Sequence, residues 1–88
     1  MAATPRGNRY NALVGEELTV EFAAKGKSAM WVAARIGIAR QQLSLYTTGM
    51  RPIPVAIVVD ACEAVGSVPE VIAVRAYERL CEEMGDSQ

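Results

Sequence analysis

The sequence contains no histidine, and this absence removes much chemistry. Ser-His and Cys-His nucleophile pairs need an imidazole to take the proton, and many metal sites need one as a ligand. Cysteine is scarce: Cys62 and Cys81 stand 19 positions apart without CxxC spacing, and two thiols alone do not hold zinc. No leader with a basic start and an apolar core precedes them, so they read as reduced thiols in a cytoplasmic protein. Long apolar runs are missing too. The longest, PIPVAIVV at residues 52 to 59, reaches eight residues before Asp60, against the roughly 20 that cross a bilayer. Finally, acid is absent from Phe22 through Val59, while Lys25, Lys27, Arg35, Arg40 and Arg51 fall in that stretch.

What is present suits one small domain. The chain has 88 residues, 51% hydrophobic and 22% charged, which is enough for one core and is a folding composition. A formal net charge of -1 hides a strong asymmetry. Residues 1 to 51 carry seven basic against three acidic side chains, and residues 52 to 88 carry two against seven. A polyanion can approach the acid-free stretch without repulsion.

Catalytic patterns are lacking. Gly26-Lys27-Ser28 looks like the end of a phosphate-binding loop, but Glu21 stands where that loop needs a glycine. Glu16 with Glu17, and Glu82 with Glu83, are helix neighbours pointing to different sides, which disfavours acid-base work. The sequence is expected to be no enzyme, with no catalytic residue, cofactor, metal or small-molecule substrate, and with no membrane span.

Residues 1 to 10, with Pro5, Gly7 and two arginines, suit a flexible arm. From Asn11, an N-cap candidate, Leu13, Val14, Leu18 and Phe22 recur on one helical face up to Gly26. Ser28 caps a second helix, AMWVAARI, ending at Gly37, and a third runs from about Ala39 to Thr47 before Gly49. Pro54 opens a fourth helix, VAIVVDACEAV, closed by Gly66. Its valine and isoleucine content makes a strand the competing reading, which its length and the spacing of Asp60 and Glu63 disfavour. Ser67 to Glu70 matches a capping box for a fifth helix, with Ile72, Ala76, Leu80 and Met84 in one row and Ala73, Tyr77 and Cys81 in the next. The expected organisation is an arm (1 to 10), an all-α domain (11 to 84) and a frayed tail (85 to 88).

A steep corner at Gly37 requires a residue free to take positive φ, a small residue at the closest approach, met by Ala33, and inward apolar side chains at Val32, Ile36, Ile38, Leu43 and Tyr46. All are in place. Here the sequence resembles the lambda-repressor-like, Cro and XRE-type, helix-turn-helix DNA-binding domain from about Leu13 to Ile72. Gly26, Ser28, Val32, Ala33, Ile36 to Ile38, Leu43 and Tyr46 follow its motif, and Gly49, Arg51 and Pro52 resemble the loop after its recognition helix. The sequence departs from that family at Ala29, often glutamine there, at Ala39, often a capping Ser or Thr, and at Lys27 and Trp31.

The resemblance implies a compact five-helix fold with the helix-turn-helix at helices two and three. It also implies sequence-specific binding of double-stranded DNA by a bacterial or phage transcription regulator, a repressor or Cro-like protein acting in the cytoplasm and on the nucleoid. Arg40, Gln41, Ser44 and Leu45 would then meet base edges, while Lys25, Lys27, Arg35, Thr48 and Arg51 would meet phosphates. On the arm, Arg6 and Arg9 would enter the minor groove. For each residue a plain solvated surface is the alternative. Trp31 has three readings: core, phosphate side or interface. The apolar surplus of helices four and five suggests a homodimer on a palindromic operator, or, as the competing reading, an all-helical protein-interaction module such as an antitoxin, antirepressor or adaptor.

Overall fold

The computed structural model describes residues 4–85. Five helices follow one another, α1 (Pro5–Ala24), α2 (Ala29–Ile36), α3 (Arg40–Thr47), α4 (Val55–Ala64) and α5 (Pro69–Glu83), and the described residues form no strand.

The first helix begins six residues before the expected start. Thr4 supplies the N-cap, its hydroxyl oxygen accepting the Gly7 amide at 3.0 Å, and Pro5 takes the first turn, where a missing N–H costs nothing. The expected arm is therefore helix over residues 5 to 10; its first three residues, and residues 86–88 of the expected tail, lie outside the described residues. Asn11 sits inside the helix instead of capping it, and its side chain serves a neighbour. Its Nδ2 donates to the Ile53 carbonyl at 3.2 Å, and its Oδ1 accepts the Ile53 amide at 2.6 Å.

The two short helices α2 and α3 cannot persist alone; the core holds them. Val32, Ala33 and Leu43 are buried, and Ile36, Ile38 and Tyr46 pack on them partly covered. In α4 the strand alternative loses: Val58, Ala61, Cys62 and Val65 repeat at helical spacing and are buried. Pro54 precedes this helix as its N-cap residue and does not enter its first turn.

In α5 the capping box does not form. Val68 is the N-cap residue and makes no side-chain cap, and the Ser67 hydroxyl donates instead to the Glu21 carboxylate. Ile72, Ala76 and Leu80 are buried as one row, while Met84 at its end is exposed. Helix α5 lies antiparallel along α1, and Leu13, Leu18 and Phe22 of α1 complete the shared core.

Candidate nucleic-acid interface

The angle between α2 and α3 is made by Gly37, whose φ of 82° lies in the left-handed region. Its amide donates to the Ala33 carbonyl at 2.9 Å, and the Ile38 amide donates to the same oxygen at 3.0 Å. A Cβ at Gly37 would touch nothing, so backbone conformation and not space selects glycine there. At its start α3 has Ala39 as N-cap residue and no side-chain cap, which leaves its first amides without a side-chain acceptor from that residue.

From behind, α1 braces α3 at Gly15. A Cβ on this glycine would come within 2.5 Å of the Tyr46 carbonyl oxygen and 3.0 Å of the Thr47 Cα. Nothing local in the sequence separates Gly15 from any other mid-helix glycine. The loop after α3 is fixed as well: the Arg51 amide donates to the Leu45 carbonyl at 3.1 Å, and Asn11 grips Ile53.

The outward face of α3 exposes Arg40, Gln41 and Ser44, with Leu45 half-buried beside them. Leu43 points inward and is fully buried. Gln42, also exposed, donates from Nε2 to the Tyr46 hydroxyl at 3.1 Å. Thr48 is exposed but turns its hydroxyl back onto the Ser44 carbonyl at 2.7 Å.

The residues expected to meet phosphates do not form one group. Lys27 and Thr48 line a cleft between α1, α2 and α3 that also includes Glu16. Arg35 lines another, between α2 and α4, with Asp60 and Glu63. Arg51 lines a third with Asn8, Asn11 and Ala12 of α1. Lys25 is exposed at the end of α1. Trp31 is 38% exposed and so is not a core residue; the Lys27 ammonium sits 4.4 Å above its ring centroid, an arrangement the ring quadrupole favours.

Arg9 is not on a free arm. It lies on α1 and donates from Nε and Nη2 to the Glu83 carboxylate at 2.6 and 2.7 Å, and from Nη1 to Glu16 at 3.5 Å. Arg6 is half-buried in the first turn of the same helix. The two arginines expected to enter a minor groove thus stand on a helical segment of α1 and not on a free arm.

Farther along the α1–α5 seam, Arg75 donates to Glu21 at 2.8 Å. Arg79 reaches Glu17 at 3.1 Å and Glu16 at 2.7 Å. Neighbouring carboxylates expected to diverge are thus joined by one guanidinium fork, whose span matches two acceptors. Glu17 and Glu21 are buried. The Ser67 hydroxyl and then the Arg75 guanidinium hold the Glu21 carboxyl below its ordinary pKa. The sequence carries one signal for these pairs: acids at 17 and 21 and arginines at 75 and 79 share the four-residue spacing of a helix face.

Both thiols are buried and outside any disulfide, and burial pushes Cys62 up to about 11. Among the described residues no cluster of three or more acidic, cysteine or histidine side chains is placed to hold a metal ion. No described helix is long and apolar enough to cross a membrane.

These features define a five-helix all-α domain whose second and third helices meet at a glycine corner. A solved structure shares it: the clp gene regulator ClgR from Corynebacterium glutamicum superposes with a TM-score of 0.80 at 17% sequence identity, covering 86% of this chain and 81% of that one. Likeness at that identity establishes the fold. No protein-family model matches the sequence, and no curated protein does.

Proposed function

We propose that the protein is a sequence-specific DNA-binding transcription regulator that inserts α3 into the major groove. One observation carries the reading: beyond the Gly37 corner, α3 exposes Arg40, Gln41 and Ser44, within a stretch of 38 residues that holds five bases and no acid, Phe22 through Val59. Arginine donates two bonds to guanine and glutamine pairs twice with adenine, each worth about 1 to 3 kcal/mol of discrimination. Leu45 adds an apolar contact for a thymine methyl. Lys25, Lys27, Thr48 and Arg51 act on phosphates, with Lys27 held over Trp31. Arg35, beside Asp60 and Glu63, is the weakest member of that set. The resemblance to ClgR, a clp gene regulator, favours the same class.

In finer terms, the protein acts as a homodimeric repressor of Cro type, bacterial or phage, which occupies a palindromic operator on the nucleoid. An apolar surface supports the dimer: Val55, Val71, Val74 and Tyr77 are exposed, and Tyr10, Ala73 and Tyr77 line an open groove between α1 and α5. The same groove is what favours the second reading, a module that binds another protein.

Titrating random-sequence duplex at rising salt separates the two readings. A DNA-binding domain loses affinity steeply as counterions compete, with a slope set by the number of phosphates neutralised. Absent or salt-insensitive binding would leave the protein-interaction reading. Selection of bound fragments from random DNA then supplies the operator.

A further inference from the structure

Of the three clefts that hold a candidate phosphate contact, two are lined by carboxylates, Glu16 in one and Asp60 with Glu63 in another. The third, between α1 and the loop after α3, has none; Asn8, Asn11 and Arg51 are its polar side chains. Asn8 and Arg51 are exposed, and Asn11 is half-buried between them and the core. This cleft is where a phosphate meets donors without meeting a negative charge.

The loop that carries Arg51 is tied at several points. Gly49, at a φ of 78°, brings the chain against α1, where a Cβ would approach that of Ala12 to 3.1 Å. The Arg51 amide is fixed to Leu45, and Pro52 removes one rotation. Asn11 then takes both backbone groups of Ile53, whose side chain is 4% exposed. A side-chain amide that pairs with a neighbour's N–H and C=O together copies one rung of a sheet and leaves the segment little freedom.

On the DNA-binding reading, we propose that Asn8 and Arg51 form one phosphate seat and that Asn11 is its positioning residue, acting through Ile53. The Arg51 guanidinium supplies the charge, and the Asn8 amide supplies a second donor from α1. The backbone phosphate is thereby gripped by two elements at once, and that sets how far α3 enters the groove.

The test measures duplex affinity over a range of salt for the full chain and for Arg51→Ala, Asn8→Ala, Asn11→Leu and the Asn11→Leu/Arg51→Ala pair. Thermal melting confirms that each is folded. Arg51→Ala lowers the slope of log affinity against log salt by about 0.9, the value for one phosphate contact. Asn11→Leu, though it removes no charge, lowers the slope in the same sense, and the double variant shows no further loss, since both changes undo one contact. Asn8→Ala weakens specific and random duplex alike, about threefold to tenfold, with the slope retained.

A folded Asn11→Leu with unchanged slope, losses that add in the double variant, or an Asn8→Ala that binds as the parent does would each overturn the proposal. If Asn11→Leu does not melt cooperatively, Asn11→Ser, which keeps an acceptor for the Ile53 amide, takes its place with a smaller loss expected. No duplex binding by the parent at low salt would instead remove the DNA reading itself, and this proposal with it.

Discussion

At the scale of single residues, side chains of the same type take different tasks because of what the fold brings near them. Arg40 is exposed on α3, while Arg9 is committed to Glu83. On the DNA-binding reading, Arg40→Ala weakens operator binding by about tenfold or more and leaves random duplex nearly unaffected, since it removes a base contact. Arg51→Ala weakens both alike. Competition assays with operator and random fragments check the pair, and equal losses on both duplexes for both variants would contradict the assignment. Gly15 gives a prediction independent of function. An alanine Cβ there meets backbone atoms of Tyr46 and Thr47 that cannot rotate away. Gly15→Ala is therefore expected to cost about 1 to 3 kcal/mol, despite alanine's better helix propensity. A thermal melt reads this as a drop of roughly 4 to 8 °C per kcal/mol for a domain of this size.

At the scale of elements, the five helices are legible in the sequence and two of their caps are not. The α2–α3 corner can be read because its signals are local: Ser28 accepts the Trp31 amide at 3.0 Å, and Gly37 takes the left-handed turn. Asn11 and Ser67 show the same capping chemistry, yet Ile53 and Glu21 claim them from 42 and 46 residues away. A side chain that can cap a helix is equally able to bond across the fold, and sequence spacing does not record which partner arrives. The split of the phosphate candidates among three clefts is illegible for the same reason: charge along the chain says nothing of which helices meet.

The α1–α5 seam also carries a pH dependence. Glu21 has a folded pKa below its unfolded value, so the unfolded chain binds its proton first as pH falls. The stabilisation is present above the unfolded value and is lost as pH falls through the folded one. Urea midpoints measured from neutral pH down to about pH 3 should decline, and Glu21→Gln should flatten part of that decline while lowering the neutral-pH midpoint. An equally steep decline in the variant would remove Glu21 as the cause.

At the scale of the whole molecule, the proposed reading gives the acid-free stretch to DNA and the apolar band to a partner copy. The band includes Val74 and Tyr77, 55% and 47% exposed, and Tyr10 meets Tyr77 edge-on at 6.4 Å between ring centroids. On the dimer reading, placing a charge in the groove, as in Tyr77→Asp, is expected to shift a dimeric parent to monomer in sedimentation runs and to weaken binding to a two-half-site operator more than to a single half-site. A parent that sediments as a monomer even on operator DNA would contradict the dimer.

The clasp of Arg9 on Glu83 has a topological consequence. Residues 74 positions apart are hydrogen-bonded, so the stretch from α1 to α5 traces an almost closed circuit. A short glycine-serine bridge between the outer ends of α1 and α5, with new termini opened at the Gly66 bend, would give a permuted chain with the same core.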